Sequence, residues 1–356
     1  MVKRKKIWKE LFEQKFIIIV ISTRKDARVV FQRQGKERRR LAMDCDEDEG
    51  ERRRGGEEEE EEEDDDDDEG KRRRRRDHHV LFFGRYPTPG KCKTRLATDL
   101  MRENCGDETV AAKLYELCTE RVLNGFLRDI DERSEEERCD ATIRLVFYVA
   151  HSADVGRVRT WLRESLEVHA KDEREEEEQQ QQQQFVEVRA QDQKTNDLGL
   201  RMIRAINEEC DAIEKKGPMR ESHVIHVVGT DYPNACWKRL EENTNVRATA
   251  RDNPICFGKA EDGGFWHVST VGRLSEDFFG KEDEKLVRWS TNNTLEDAKN
   301  AAKKVGMNPR VEDVGNPLHD IDTLEDVRKW MRATTRNKSH MEDDFTQLAR
   351  QVANSQ

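Results

Sequence analysis

Beyond residue 78 the chain alternates short apolar runs with longer stretches in which apolar residues recur every three or four positions. That alternation predicts strand–helix–strand units, hence an α/β fold with a mostly parallel, twisted sheet and helices on both faces. The first strand is expected over 80–84. After a turn rich in Pro and Gly, Val110, Leu114, Leu117, Cys118, Val122 and Phe126 mark one long helix running from Ala97 onward. A nearly continuous apolar run at 143–150 suits a strand covered on both faces, and Ser152 is placed to cap the next helix. Further strands are expected at 185–188, 224–228, 255–257 and 265–268. Helices are expected at about 197–215, from Thr294 to Gly306, and at 324–332, where Thr323 and Asp326 form a capping box.

Composition changes this picture at the ends and at one internal point. Charged residues make up 40% of the chain and mean hydropathy is -1.03, too polar for one uniformly packed protein of 356 residues. Much of the formal charge of -11 sits in the acidic block Glu57 to Glu69, which is followed by the basic block Lys71 to Arg76. Like charges and scarce apolar side chains predict a charged arm over residues 1–78, disordered from about 33 to 77. The Glu- and Gln-rich tract 171–184 reads as a low-complexity insertion within one catalytic domain, 79–334, and residues 335–356 read as a polar tail. Phe16 to Ser22 is too short to span a membrane, and no secretory cleavage pattern follows the first basic residues, so a cytoplasmic location is expected, with organelle import left open. The eight cysteines include no C-x-x-C pair, which favours reduced thiols over zinc or disulfides.

Three loops carry the candidate chemistry. The segment after the first strand holds Arg85, Lys91, Lys93, Thr94 and Arg95 around Gly90. Ligands of open α/β sheets bind at the carboxyl ends of strands, and Gly with Lys and Arg there suits phosphate. A P-loop does not fit, because the glycine spacing is one residue too long and Cys92 stands where a hydroxyl should bind metal. Gly229-Thr-Asp-Tyr-Pro233 places Asp231 at the end of a buried strand. Glu261-Asp262-Gly263-Gly264 places a second carboxylate before a glycine turn. Asp231 and Asp262 together could hold Mg²⁺ or Mn²⁺, which favour hard oxygen ligands shared with substrate phosphates. Taken singly, each has an ordinary reading as a turn residue. Asp320 and Asp322 precede a helix, where the dipole favours negative charge without any ligand. His267 and His319 read as surface or edge residues.

In order along the chain, Pro87 to Leu96, Asp197 to Met202, Gly229 to Pro233, Glu261 to Phe265, Trp289 to Thr291 and Asp320 to Asp326 match the short motifs of a known group. With them the chain resembles the GT-A-fold glycosyltransferase A-like family of nucleotide-diphosphosugar transferases, some members being described as arsenosugar biosynthesis glycosyltransferases. The resemblance spans about residues 79–331. It implies a metal-dependent enzyme that transfers a sugar from a nucleoside-diphosphate sugar to a small-molecule acceptor. Lys93 and Arg95 would bind phosphates and Asp231 the metal. Asp262 would complete the site or face the acceptor, and residues 196–199, with Asp197, Gly199 and Arg201, would lie near sugar or base. Lys259 departs from the Pro usual in the family, and Tyr232 from a smaller residue.

Related folds also serve nucleotidyltransferases, so a nucleoside triphosphate and a phosphorylated acceptor form the competing pair of substrates. A third possibility is a non-catalytic binding module. Nucleic acid is an unfavoured partner, because the acidic block lies beside the only long basic run.

Overall fold

The computed structural model describes residues 16–23, 26–33, 76–134, 137, 141–171, 186–217, 223–244, 254–281, 284–312, 316–335 and 343–355. The chain divides into two units, 1–67 and 68–356. In the first, β1 (Phe16–Thr23) and β2 (Asp26–Arg33) pair as an antiparallel hairpin, so the arm contains regular structure that its charge did not suggest. Of the disorder expected over about 33–77 and the insertion expected at 171–184, residues 34–75 and 172–184 lie outside the described residues.

The second unit is built on a seven-stranded sheet. Its strands are β3 (Arg76–Gly84), β4 (Ala141–Val149), β5 (Glu187–Ala190), β6 (His223–Gly229), β7 (Pro254–Lys259), β8 (Phe265–Thr270) and β11 (Asn308–Glu312). A small antiparallel pair, β9 (Gly280–Lys281) and β10 (Glu284–Lys285), lies between β8 and β11 in the chain. The sheet order is β11-β7-β8-β6-β3-β4-β5. Strand β8 runs antiparallel to both its neighbours, and the remaining pairs are parallel. The carboxyl ends of β3, β6 and β7 and the amino end of β8 therefore open on one edge.

Strand alternation divides the core between the two faces. Leu81, Val146, Tyr148, Ile225 and Val227 face α4 (Leu198–Glu214) and α6 (Thr294–Lys304). Val80, Phe82, Leu145, Phe147 and Val149 face α2 (Glu108–Asp131), α3 (Val155–Lys171) and α5 (Trp237–Thr244). A third cluster joins α1 (Thr94–Arg102), α2, α7 (Leu324–Thr335) and α8 (Asp344–Asn354).

Local sequence explains three differences from the expected elements. The long helix is two helices: α1 ends as Asn104 turns left-handed at φ 54°, and Asp107 caps α2 by accepting from the Thr109 and Val110 amides. The first strand starts at Arg76, ahead of Val80, so the domain begins inside what read as the arm. Residues 335–356, expected to be a polar tail, contain α8. Its Phe345, Ala349 and Val352 are buried beside Trp330, and Asp343 caps its start while pairing with Arg121.

The early start of β3 buries His78, which forms part of a polar line across three strands. His78 Nδ1 lies 3.0 Å from His226 Nε2, and Ser269 Oγ lies 2.7 Å from His226 Nδ1 and 3.0 Å from His267 Nδ1. His267 is 1% exposed, so it is a core residue and not an edge residue. Burial pushes His78 and His267 down to about 3 and His226 well below its ordinary value. These groups fold neutral and unfold protonatable near 6.5. Stability from them is full above that value and declines as pH falls toward 3, because only the unfolded chain takes up the protons. Each histidine gives a slope of about 1.4 kcal/mol per pH unit once the unfolded form is protonated. Urea midpoints at pH 7.5 and 5.5 should differ sharply; equal midpoints would show that the three rings do not titrate on unfolding.

Candidate functional site

The loop leaving β3 is shaped before it reaches its cations. Tyr115 of α2 accepts a hydrogen bond from the Arg85 amide at 2.9 Å, and its hydroxyl lies 3.0 Å from Thr230 Oγ1 at the end of β6. This ties the carboxyl ends of β3 and β6 together through a buried ring. A turn follows, with the Lys91 amide bonded to Thr88 carbonyl at 3.0 Å and Gly90 at φ 72°. Arg85 donates to the Lys91 carbonyl at 3.3 Å, and Arg85, Lys91, Thr94 and Arg95 are exposed. Helix α1 then begins with Lys93 at its N-cap position. Lysine has no acceptor, so no side chain caps the first amides of α1.

Lys93 adopts a left-handed backbone, φ 48° and ψ 45°, uncommon for a residue with a long side chain. Its ammonium reaches 2.8 Å from Asp231 Oδ2 and 2.6 Å from Asp322 Oδ1, with the side chain only 8% exposed. Arg95 pairs with the other oxygen of Asp322. Asp231, Asp320 and Asp322 each present a carboxylate oxygen within 4.8 Å of the other two. Among the described residues this is the one group of that kind.

Two backbone contacts hold the acidic segment 318–322 at the sheet edge. The Ile321 amide donates to the Asp231 carbonyl at 3.1 Å, and the Glu261 amide donates to the Leu318 carbonyl at 2.9 Å. Leu318 and Ile321 are buried, with Asp320 and Asp322 on either side of Ile321. The capping box expected at α7 is present, with Asp326 accepting from the Thr323 amide at 2.8 Å. His319 lies 2.6 Å from Glu261 Oε2 and 3.3 Å from Asp326 Oδ1, so it braces the segment and is not an ordinary surface residue. The Asp326 hydrogen bond is the main cause of its raised pKa.

The electrostatics follow from these contacts. Burial opposes the charge on Lys93, but Asp231 and Asp322 overcome it and hold the ammonium well above its usual range. Burial likewise opposes ionisation of Asp322, yet Lys93 and Arg95 keep its carboxyl below the ordinary value. At Asp320 the opposing pull of Lys93 is weaker than burial and the surrounding acids. Burial, with Asp231, Asp322 and Asp262 nearby, raises Asp320 to about 7.

Asp262 stands outside the cluster of three. It is exposed, and its Oδ1 accepts from the Gly264 amide at 2.9 Å, closing the turn between β7 and β8. Gly263 in that turn has φ 85°, and a Cβ there would lie 2.2 Å from the Asn292 carbonyl oxygen. A side chain is therefore excluded on both conformational and steric grounds. Asp197, Gly199 and Arg201 gather at the start of α4. Asp197 caps that helix by accepting from the Leu200 amide at 2.8 Å, and Arg201 donates to the Thr195 carbonyl at 2.8 Å. A Cβ on Gly199 would approach Trp289 within 2.6 Å and Phe279 within 2.9 Å. The Trp289 to Thr291 motif thus packs on Gly199 while Asn292 abuts Gly263, which links two sequence-distant motifs.

Asp231 pairs with Asp320 and Asp322 more closely than with Asp262 because the former are anchored to its own backbone. The missed signal is the pattern Asp320-Ile321-Asp322: a buried apolar residue between two acids places both acids on one side of an extended segment. Three carboxylates supply the hard oxygen donors that Mg²⁺ or Mn²⁺ prefer, so the donor set fits such an ion.

Comparison with known proteins agrees with this architecture. A family profile described as an uncharacterized protein conserved in bacteria (DUF2064) matches residues 152–291. No curated protein matches the chain. A solved structure from Desulfovibrio desulfuricans G20, provisionally named a nucleotide-diphospho-sugar transferase, aligns with a TM-score of 0.54 at 20% identity, covering 78% of this chain and 96% of that one. The chain shares the fold of that structure. Two further structures align at a TM-score of only 0.38. They are a 4-diphosphocytidyl-2C-methyl-D-erythritol synthase from Anaerococcus prevotii (10% identity, 74% of this chain and 99% of that one) and a cytidylyltransferase from Leptospira borgpetersenii (12% identity, 79% and 98%). Nothing among these matches bears on arsenosugars.

Proposed function

We propose that this protein is a metal-dependent transferase that moves a sugar from a nucleoside-diphosphate sugar to a small-molecule acceptor. The observation that supports it is the convergence of Lys93 and Arg95 on Asp231 and Asp322 where β3 and β6 end. Cationic side chains, uncapped amides at the start of α1 and a group of carboxylates are the parts needed to grip a diphosphate together with a divalent cation.

In this reading Asp231, Asp320 and Asp322 would hold Mg²⁺ or Mn²⁺, which when bound offsets charge developing on the departing diphosphate. Arg95 and Lys91 contact the phosphate oxygens, Arg95 with a forked donor and Lys91 as a point charge. Arg85, Gly90 and Thr94 shape the same loop around the anion. Asp262 and the Gly263-Gly264 turn face the acceptor side, and Asp197, Gly199 and Arg201 position the wall nearest sugar or base. Fixed charges of this kind act through preorganisation, since they need not reorient as the leaving group becomes more negative.

The test is ³¹P NMR of the protein with Mg²⁺ and a panel of nucleotide sugars, and separately with nucleoside triphosphates. Slow release of nucleoside diphosphate from a nucleotide sugar supports the proposal. Pyrophosphate release from a triphosphate, with nucleotide sugars untouched, assigns the site to nucleotidyl transfer. Binding of either class with no turnover in the presence of diverse acceptors favours a binding module. No helix among the described residues is long and apolar enough to cross a membrane.

A further inference from the structure

The position of Lys93 raises a question that the proposed function does not answer. Its ammonium lies within hydrogen-bond distance of Asp231 and Asp322, two of the three carboxylates suited to a divalent ion. The same two carboxylates would hold the divalent ion, so an ammonium bonded to both competes with it for their charge. Two cations forced together there would also repel each other in a setting largely shielded from water.

We propose that Lys93 is a resident cation of this site, exchanged for the divalent ion when the metal enters. The inference rests on the metal-assisted reading above and adds its order of events: ammonium out, metal in, and the released lysine available to the phosphates of the donor. Three features support it. The backbone of Lys93 is held left-handed, a conformation with a cost, at the residue whose side chain meets both acids. The side chain is 8% exposed, so it is part of the site's interior and not a surface lysine that happens to touch an acid. Its ammonium also lies 5.7 Å from the centre of the Tyr115 ring, whose negative face is a second favourable surface for a cation.

With Lys93 in place, the excess negative charge of three clustered carboxylates is partly neutralised, and the metal-free protein avoids their full mutual repulsion. The metal then binds against an internal competitor. Coupled equilibria of this kind are typically worth about 5–150-fold in affinity. A donor whose phosphates receive the displaced ammonium offsets that competition, so metal and donor should bind more tightly together than separately.

The experiment is calorimetric titration of Mn²⁺ alone into the wild-type protein, Lys93→Met and Lys93→Arg, with thermal melts to confirm folding. Lys93→Met should bind Mn²⁺ at least about tenfold more tightly than wild type, within the coupling range above, and Lys93→Arg should not gain affinity. A second measurement uses the unaltered chain: reductive methylation read by mass spectrometry should label Lys93 slowly without metal and faster when Mn²⁺ saturates the site. Equal affinities in wild type and Lys93→Met, or labelling of Lys93 indifferent to bound Mn²⁺, overturns the exchange while leaving a metal site intact. Absence of Mn²⁺ binding in all three proteins instead overturns the metal-assisted reading on which the exchange rests.

Discussion

Asp231→Asn is expected to lower turnover by roughly 10²–10³-fold, the loss typical when one preorganised electrostatic group is removed from a reacting centre. The substitution keeps the size of the side chain and leaves the backbone carbonyl that receives the Ile321 amide untouched. Lys93 retains Asp322 at 2.6 Å, so its buried ammonium keeps an ionic partner. Stability should therefore change by less than about 2 kcal/mol, within the common range for substitutions away from the core. Turnover and thermal melts of the same preparation separate the alternatives. A protein that loses stability in proportion to activity would make Asp231 a structural residue, and full activity would remove it from the site.

The second large effect lies away from the site. Glu209 of α4 is fully buried, with its carboxylate bonded to His79 Nδ1 at 2.8 Å and to Arg189 Nη1 at 3.1 Å, and paired with Arg144. Burial works against its charge, but the His79 hydrogen bond and the two guanidinium groups prevail and lower its pKa. That contribution is present above the ordinary carboxyl value and is lost as pH falls through the depressed one. Removing one member of a buried ionic group leaves the others without compensation, at a cost of about 3–5 kcal/mol. Glu209→Gln should fall near the lower end, since the amide still accepts a hydrogen bond, and the melting temperature should drop by roughly 10 °C. A loss under about 1 kcal/mol would mean that the charge at this position is dispensable for the fold.

These two acids differ in how far the sequence revealed them. Asp231 was legible because it ends an unbroken apolar strand between Gly229 and Pro233, a place where an acid has few reasons to be other than a turn or a ligand. Glu209 sits in α4 among residues of ordinary helical pattern, and nothing local marks it as buried. Only the pairing of β4 with β3 and β5 brings Arg144 and Arg189 to it. The same limit applies to His78 and His79. Next to the basic block His78 looks like the end of the charged arm and His79 like the first residue of the domain, yet the register of β3 with β4 and β6 draws both inside.

The parallel strands and their helices were readable because a strand covered on both faces must be apolar throughout. The reversed direction of β8 was not, since Phe265 to Val268 gives a strand without a direction. Helix α8 was hidden by polar neighbours, although Phe345, Ala349 and Val352 repeat at helical spacing. At the site, the cations after β3 were evident from their position, whereas the acidic partner set was only half seen. The choice of Asp320 and Asp322 over Asp262 depends on the hydrogen bond from Ile321 to Asp231, a contact between segments about ninety residues apart.

The most direct test of the account is calorimetric binding of nucleoside diphosphates in Mg²⁺ and in EDTA, with Arg95→Ala measured in parallel. At least one diphosphate should bind in Mg²⁺, lose most of its affinity in EDTA, and bind Arg95→Ala about tenfold or more weakly, as expected for a charged hydrogen bond. Binding that is unchanged by EDTA and by loss of the Arg95 guanidinium would contradict the claim that loop cations and clustered aspartates act on one diphosphate–metal unit.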